Sequence, residues 1–285
     1  MGSAPLLVLQ LAASDPVGRL GEWLTDAGVQ LELRRPDELP GSLDGFAGLL
    51  VLGGPMSAGD DAAHPWLATV RALLREAVAR ELPALGVCLG AQLLAAANGG
   101  RVARNPHGPE FGAQLVAKRA SSATDPLFGR LPITPDVIQW HFDAVVALPP
   151  GAVQLASSPG CEQQAFRLGR VAWGIQFHIE TTPDVVRAWA AHDAEALAGY
   201  DVEAILARAD AVHDDIGETW TPFAAAFAAV VRDPASVRTV RTVATATAAP
   251  ITDPAAIRAA LAAELSSARR PSVLPDPGRR PPDHG

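Results

Sequence analysis

The stretch Ala84-Leu85-Gly86-Val87-Cys88-Leu89-Gly90-Ala91-Gln92 joins a short apolar run to a helical pattern through a turn that carries two glycines. Residues 84–87 predict a buried strand, and residues 89–97 predict a helix. Glycines on either side of Cys88 allow a tight strand-to-helix turn at the end of a sheet. A strand that leads directly into a helix is the repeating unit of parallel α/β sheets, so this stretch predicts the fold class.

The same alternation of strand and helix patterns extends over about the first 100 residues of the chain. Further apolar runs predict strands at 6–11, 29–33 and 48–52, and helical spacing predicts helices at 17–27 and 67–78. Helical periodicity is weak at about 101–178, where runs at 114–117, 137–142 and 171–177 predict added strands, some of them antiparallel. We therefore expect an α/β fold: a mostly parallel, flavodoxin-like central sheet with helices on both faces, added antiparallel strands and C-terminal helices.

These patterns divide the chain into three segments. Residues 1–195 are expected to form the α/β domain, and residues 196–233 a C-terminal helical extension packed on it. The helical patterns in this part of the chain are at 185–197, 202–211 and 221–231. Residues 234–285 are expected to be a weakly structured tail, with an alanine-rich helix at 254–268 and disorder from about 269.

Composition excludes several classes of protein. The formal net charge is −8 and the pI about 5.3, so the chain has no basic footprint for nucleic acid. Two cysteines are too few for a disulfide framework and indicate a reducing compartment. The apolar runs fall short of the roughly 20 residues of a membrane span, and the N-terminus lacks the basic residues of a secretory signal. We expect a soluble cytoplasmic protein that binds neither nucleic acid nor membrane.

The turn at Cys88 has two chemical consequences. The sulfur lies near the N-terminus of the predicted helix, whose partial positive charge favours a thiolate over a thiol. Backbone N–H groups in the first turn of a helix lack intrahelical partners and can face a developing oxyanion. This arrangement fits a nucleophile. A structural cysteine buried between a strand and a helix fits the same turn.

The segment 173–180, Trp-Gly-Ile-Gln-Phe-His-Ile-Glu, contains the second candidate group, His178 and Glu180. In an extended segment two residues that are two apart point to the same side, so the carboxylate can accept a hydrogen bond from one ring nitrogen of the histidine. The other nitrogen can then face a nucleophile, as in a catalytic triad. Taken alone, the pair also fits a surface position at a strand end. A parallel sheet places it and the Cys88 turn at the carboxyl ends of strands, where such folds hold their sites.

Four separated blocks of sequence resemble the class I, or triad-type, glutamine amidotransferase family. The blocks are Gly53-Gly54-Pro55-Met56, Gly86-Val87-Cys88-Leu89-Gly90-Ala91-Gln92, Gln139-Trp140-His141-Phe142-Asp143 and Gly174-Ile175-Gln176-Phe177-His178-Ile179-Glu180. The resemblance covers about residues 5–195 in the order of the family. It is closest to stand-alone proteins that are similar to the amidotransferase domain of GMP synthase.

This resemblance implies a role for each matching residue. Cys88 would attack the side-chain amide of glutamine and form a glutamyl thioester, with His178 as the base and Glu180 as the residue that orients it. The backbone N–H groups of Gly54 and Leu89 would form the oxyanion hole. The remaining matches would bind the substrate: Met56, Gln92, Trp140, His141, Phe142 and Asp143. A hydrogen-bonded structural role fits His141 equally well.

Three functions are compatible with these residues. The first is a glutamine amidohydrolase that supplies ammonia to a separate synthase subunit, since the chain lacks a Gly-x-x-x-x-Gly-Lys-[Ser/Thr] phosphate loop of its own. The second is a stand-alone hydrolase or transferase of γ-glutamyl peptides or amides. The third is a non-catalytic regulatory subunit that keeps the fold for binding. We expect no cofactor and no metal, because the histidines at 64, 107, 192 and 213 lack metal-ligand spacing with a cysteine, and we expect Cys161 to be inert.

Overall fold

A computed structural model describes residues 4–237 of the chain, which fall within one compact unit, Met1–Thr239. The helix predicted at 254–268 and the disorder predicted from about 269 lie outside the described residues. The predicted division of the chain at residues 195 and 233 stays a prediction.

Between residues 4 and 237 the chain forms twelve strands: β1 (Leu6–Leu9), β2 (Leu31–Arg34), β3 (Gly48–Val51), β4 (Ala84–Val87), β5 (Arg101–Arg104), β6 (Glu110–Leu115), β7 (Ala117–Lys118), β8 (Asp136–His141), β9 (Asp143–Ala147), β10 (Val153–Ser157), β11 (Ala165–Leu168) and β12 (Ala172–Ile175). The α-helices are α1 (Gly18–Asp26), α2 (Leu67–Ala79), α3 (Leu89–Ala97), α4 (Pro183–His192) and α5 (Val202–Arg232). The strand and helix on either side of Cys88 have the bounds that the sequence predicts.

Eight strands form the central sheet, in the order β2-β1-β3-β4-β12-β11-β10-β7. The first five strands in this order, β2, β1, β3, β4 and β12, run parallel to one another. The last three, β11, β10 and β7, are each antiparallel to their neighbours. Strands β1, β3, β4 and β12 are buried along their whole length, as expected of parallel strands that are covered on both faces. The predicted fold class is confirmed.

Two short antiparallel pairs lie outside the central sheet. Strand β5 pairs with β9, and β6 pairs with β8 over six residues, with Glu110 opposite His141. The strand predicted at 114–117 is not continuous, because Val116 separates β6, which pairs with β8, from β7, which pairs with β10. The chain thus changes sheets within the predicted strand.

The two helices predicted at 202–211 and 221–231 form a single helix, α5, of 31 residues with Pro222 in its interior. Residues 212–220 lie outside both predicted helices. Pro222, near the start of the second one, removes a backbone donor, which usually breaks or kinks a continuous helix. Tertiary packing outweighs this preference. Trp220 and Phe223, on both sides of the proline, are buried to 0% and 1% exposure.

Trp220 anchors α5 to the rest of the unit. Its ring lies 5.1 Å from that of Phe177 and 5.3 Å from that of Phe223, measured between centroids. Its indole nitrogen donates a hydrogen bond of 3.0 Å to the carbonyl oxygen of Asp136 at the start of β8. Since Phe177 directly precedes His178, this contact ties α5 to the segment that carries the candidate base.

None of the helices between residues 4 and 237 combines the length and the apolar character that crossing a membrane requires.

We predict that Trp220→Ala lowers the free energy of unfolding by about 3–5 kcal/mol, because it leaves a cavity and an unpaired carbonyl. Ile133→Ala is the control, since Ile133 is 77% exposed and a surface change of this kind costs about 0.5 kcal/mol or less. Urea unfolding followed by circular dichroism measures both. Equal, small losses in the two variants would show that Trp220 does not anchor the helix.

Candidate active site

Cys88 occupies a strained turn between β4 and α3. Its backbone has φ 51° and ψ −108°, in a region that residues other than glycine rarely adopt. The turn requires a glycine at Gly86, because a Cβ there would lie 2.5 Å from the carbonyl group of Gly90. The Cys88 N–H donates a 2.8 Å hydrogen bond to the Ile175 carbonyl at the end of β12. Strain held by the surrounding structure is frequent at active sites, where it aims a side chain.

His178 and Glu180 leave the sheet just after β12 and pair with each other. Nδ1 of His178 and Oε1 of Glu180 are 2.6 Å apart, and the other carboxylate oxygen accepts a 2.9 Å hydrogen bond from the Ile179 N–H. His178 also exchanges two backbone hydrogen bonds with Ile138 of β8, of 2.8 and 3.1 Å. The predicted side-by-side placement of the two side chains is confirmed, and both are buried.

The environment of His178 favours its protonated form. Burial opposes the charge, but the carboxylate of Glu180 and the sulfur of Cys88 outweigh burial and hold the pKa of His178 well above its ordinary value. Nε2 is buried and has no hydrogen-bond partner among residues 4–237. A protonated imidazole at this position can act as a general acid towards a leaving group.

The backbone of Glu180 contacts helix α1, and α1 is in turn bound to α5. The Arg19 N–H donates a 3.0 Å hydrogen bond to the Glu180 carbonyl. The guanidinium of Arg19 donates to the carbonyl of His213 on α5, 2.5 Å away. Gly18, with φ +46°, is needed at the start of α1 because a Cβ there would collide with the Glu180 carbonyl oxygen. The backbone of Glu180 is therefore set by contacts outside the sheet.

Two residues with backbone donors that are free among residues 4–237 line the cavity together with Cys88. Within the described part of the chain, neither the Gly54 N–H nor the Leu89 N–H donates a hydrogen bond, and both residues line the cavity above the sulfur. Leu89 is the first residue of α3, where the helix dipole adds to the donor strength. This geometry is suited to binding an oxyanion.

The cavity at Cys88 has a volume of about 550 Å³, within the usual range for small-molecule sites. All predicted site residues line it except Glu180, which stands behind His178: the lining includes Gly54, Met56, Cys88, Leu89, Gln92, Trp140, His141, Phe142, Asp143 and His178. The structure adds residues that the sequence did not single out, among them Asp15, Ser57, Arg104, Trp189, His192 and Asp193.

Gln92 and Gln176 connect the Cys88 turn to the opposite wall. Nε2 of Gln92 donates 2.9 Å to the Asp143 carbonyl and 3.2 Å to Oε1 of Gln176. Nε2 of Gln176 in turn lies 3.6 Å from the sulfur of Cys88. Gln92 therefore holds the wall of the cavity through its side-chain amide.

His141 takes part in a buried network with Glu110. Its Nδ1 lies 2.9 Å from the Asp143 carbonyl, and its Nε2 lies 3.0 Å from Oε2 of Glu110. A carbonyl only accepts, so Nδ1 carries a proton. The bond to Glu110 then needs a second proton, on Nε2 or on the carboxyl. His141 thus lines the cavity and also has the hydrogen-bonded structural role that the sequence left open.

Cys161 joins Glu110 and His141 in a buried group whose potential metal-ligating atoms lie within 4.8 Å of one another. Glu110 Oε2 already accepts a 2.9 Å hydrogen bond from Gln164, so this group acts as a hydrogen-bonded network as it stands. Burial, then the Glu110 carboxylate, raises the pKa of Cys161 to about 12. Cys161 therefore stays a thiol, as expected of an inert cysteine.

Comparison with known proteins supports the resemblance. Residues 20–188 match the family model described as glutamine amidotransferase class-I. The glutamine amidotransferase-like protein YfeJ of Salmonella typhimurium is 30% identical over 65% of this chain and 79% of its own. One subunit of the glutamine-hydrolyzing GMP synthase of Halobacterium salinarum is 36% identical over 54% of this chain and 76% of its own.

The fold is similar to that of solved structures with related descriptions. A glutamine amido transferase from Methylobacillus flagellatus matches with a TM-score of 0.72 and 31% identity, over 81% of this chain and 96% of its own. A glutamine amidotransferase from Thermotoga maritima matches with a TM-score of 0.70 and 26% identity, over 80% of this chain and 99% of its own.

We predict that Glu180→Gln lowers the pKa of His178, because the charge of this carboxylate is the largest single cause that raises it. A raised folded pKa means that the proton on His178 stabilises the fold fully below the ordinary value of 6.5, and that this contribution is lost as pH rises through the folded value. Titration of the ring by nitrogen NMR measures the shift, with Glu22→Gln on the exposed side of α1 as the control. An unchanged titration in Glu180→Gln would contradict the pairing.

Proposed function

This chain belongs to the class-I glutamine amidotransferase family and is a glutamine-hydrolysing enzyme, and we propose that it releases ammonia through a thioester on Cys88. The observation that carries the proposal is the pairing of the buried His178 with Glu180 at 2.6 Å, next to a cysteine on a strained turn. The relatives from Salmonella typhimurium and Halobacterium salinarum are described as glutamine amidotransferase-like and as part of a glutamine-hydrolyzing enzyme, which supports the proposal. Cys88, His178 and Glu180 then act as nucleophile, general acid and base, and orienting residue.

The reaction has two steps, formation of the thioester and its hydrolysis. The Cys88 thiolate attacks the side-chain carbonyl carbon of glutamine, a C–S bond forms, and the C–N bond breaks as Nε2 of His178 gives its proton to the departing ammonia. Water then attacks the thioester, His178 accepts its proton, the C–O bond forms and the C–S bond breaks. Glutamate leaves and the imidazolium–thiolate pair is restored.

The oxyanion in both steps is stabilised by the N–H groups of Gly54 and Leu89. Since neither N–H has another acceptor in the described part of the chain, both are free to bind the developing charge. Donors fixed before the charge forms lower the barrier without reorganisation. Removing one such donor typically costs about 10²–10³ in kcat.

The amino-acid end of glutamine is held by the wall that includes Asp143. The carboxylate of Asp143 accepts a 2.5 Å hydrogen bond from Ser57 and lies 3.8 Å from Nε of Arg104. A carboxylate and a guanidinium side by side match the ammonium and carboxylate of an α-amino acid. The Asp143 carbonyl is fixed by His141 and Gln92, so Glu110 acts on this wall through His141.

We propose that the ammonia passes to a separate synthase subunit. The relative from Halobacterium salinarum is described as one subunit of a glutamine-hydrolyzing GMP synthase, which supports a partner on a separate chain.

A second candidate is hydrolysis or transfer of γ-glutamyl amides with a larger leaving group. The cavity of about 550 Å³ extends past His178 to Trp189, His192 and Asp193 on and after α4. This extension gives room for a substituent on the amide nitrogen. A competition assay between glutamine and substituted γ-glutamyl amides separates the two candidates.

We predict that Cys88→Ala lowers glutamine hydrolysis at least about 10³-fold, since the nucleophile is lost. Cys161→Ala is the control and is expected to keep activity, because Cys161 is buried away from the cavity lining. Glutamate release measures turnover, and mass spectrometry measures covalent labelling by an electrophilic glutamine analogue. Labelling is expected in the wild type and in Cys161→Ala, but not in Cys88→Ala. An unlabelled, inactive wild type would favour the non-catalytic regulatory subunit.

We predict that Glu110→Gln lowers kcat/KM for glutamine about tenfold. An amide nitrogen in place of Oε2 would face the N–H donor of Gln164, and an amide oxygen there would bind His141 less strongly than the acid. A buried polar group left without a partner costs about 1–3 kcal/mol. The change is expected mainly in KM, since Glu110 acts on the substrate-binding wall and does not touch the reacting atoms. Glu162→Gln, on an exposed side chain of the adjacent loop, is the control. A loss confined to kcat would contradict this role for Glu110.

A further inference from the structure

The triad sets the direction in which the leaving group departs. The substrate carbonyl oxygen points to the N–H groups of Gly54 and Leu89, and the nitrogen that leaves points to His178, which gives it a proton. Any substituent on that nitrogen therefore extends along the wall beside His178. Trp189 and Asp193 beside His178 belong to α4 and the residue after it. By contrast, Asp143 and Arg104, proposed to bind the amino-acid end, belong to β9 and β5.

The wall beside His178 contains two tryptophan rings. The ring of Trp189 lies 4.6 Å from that of His178 and 5.9 Å from that of Trp140, measured between centroids. Both indole nitrogens are engaged: Trp189 donates to the Ser14 carbonyl at 2.9 Å, and Trp140 donates to Oδ2 of Asp193 at 2.8 Å. The rings are thus fixed in orientation and line the cavity.

Two carboxylates lie beside these rings. Asp15 is only 8% exposed, and its Oδ2 accepts a 2.6 Å hydrogen bond from Ser14, while its Oδ1 has no hydrogen-bond partner among residues 4–237. A Cβ placed on Gly53 would lie 2.7 Å from Asp15 Oδ1 and 3.2 Å from Cε1 of His178, so this oxygen lies close to the base. Asp193 provides the second carboxylate.

Among the described residues, the histidines are the only groups on this wall that could carry a positive charge to balance the carboxylates. The described lining of the whole cavity contains one arginine, Arg104, and no lysine. Arg104 lies over the ring of Phe142, 5.1 Å from its centroid, and beside Asp143. Burial, the largest cause, raises the pKa of Asp15, as expected of a carboxyl group that is largely removed from water.

We propose that this wall binds a cationic amine as the leaving group, so that the enzyme hydrolyses γ-glutamyl amides of diamines and polyamines. Carboxylates beside fixed tryptophan faces are the groups that recognise alkylammonium ions. The inference rests on the thioester chemistry proposed for Cys88 and specifies its substrate. The amide C–N bond breaks as His178 protonates the amine, and water then releases glutamate from the thioester, giving glutamate and the free diamine.

The test compares amides that differ only in terminal charge. The purified full chain is given γ-glutamyl amides of diamines with two to five carbons, of methyl-terminated alkylamines of the same length, and of the matching ω-amino acids, with glutamine alongside. At the best length we expect kcat/KM for the cationic amide to exceed that for the neutral one about tenfold or more, and the anionic amide to be poorest.

Two variants test whether Asp15 and Asp193 cause the preference for cationic amides. Asp193→Asn and Asp15→Asn are each expected to reduce the ratio of kcat/KM for cationic over neutral amides to within about threefold, since each removes a charge and keeps the shape. Asp184→Asn, on the exposed face of α4, is the control and keeps the wild-type ratio. The substrate panel on the wild type tests the proposal even if a variant fails to fold.

Each remaining outcome overturns the inference in a distinct way. Hydrolysis of glutamine with no preference for the cationic amides overturns it and leaves the proposed function intact. Equal losses for glutamine and for the cationic amides in Asp15→Asn and Asp193→Asn would show that the carboxylates bind the α-ammonium group instead. No hydrolysis of any γ-glutamyl compound would overturn both the inference and the proposed function.

Discussion

The parallel pairing of β4 with β12 is the constraint on which the site depends. In this register Gly86 lies opposite Gly174 and Val87 opposite Ile175, so both strands end at the same edge of the sheet. The hydrogen bond from the Cys88 N–H to the Ile175 carbonyl continues the pairing one step past the strands. Cys88 and His178, distant in sequence, are brought together by these backbone contacts, so that their side chains lie close to each other.

Much of this arrangement could be predicted from sequence because it follows from local patterns. The strand and helix around Cys88 have simple periodicity, and the spacing of His178 and Glu180 determines that their side chains share a side. Helix α5 was predicted as two helices with residues 212–220 outside both, and Pro222 locally disfavours a continuous helix. The packing of Trp220 that outweighs this local preference is non-local. Sequence patterns report propensity, and they report tertiary contacts only indirectly.

The walls of the cavity were less predictable for a related reason. Asp15 follows β1, Asp193 follows α4, and Glu110 begins β6, so these residues come from loops and edges with no shared motif. Their proximity depends on how the helices cover the sheet and on the exact path of each loop. Glu110 in particular acts on the cavity only through His141, and no spacing in the chain marks such an indirect contact.

Gly18 has a consequence for how sequences of this kind diverge. It lies at the start of α1, outside the described lining of the Cys88 cavity, and carries no side chain, yet a Cβ there would collide with the backbone of Glu180. A lineage that retained the orienting glutamate would be under selection to retain this glycine as well. A lineage released from catalysis would be free to lose it. The residue at this position is therefore a marker, readable in a genome, of whether the triad is still in use.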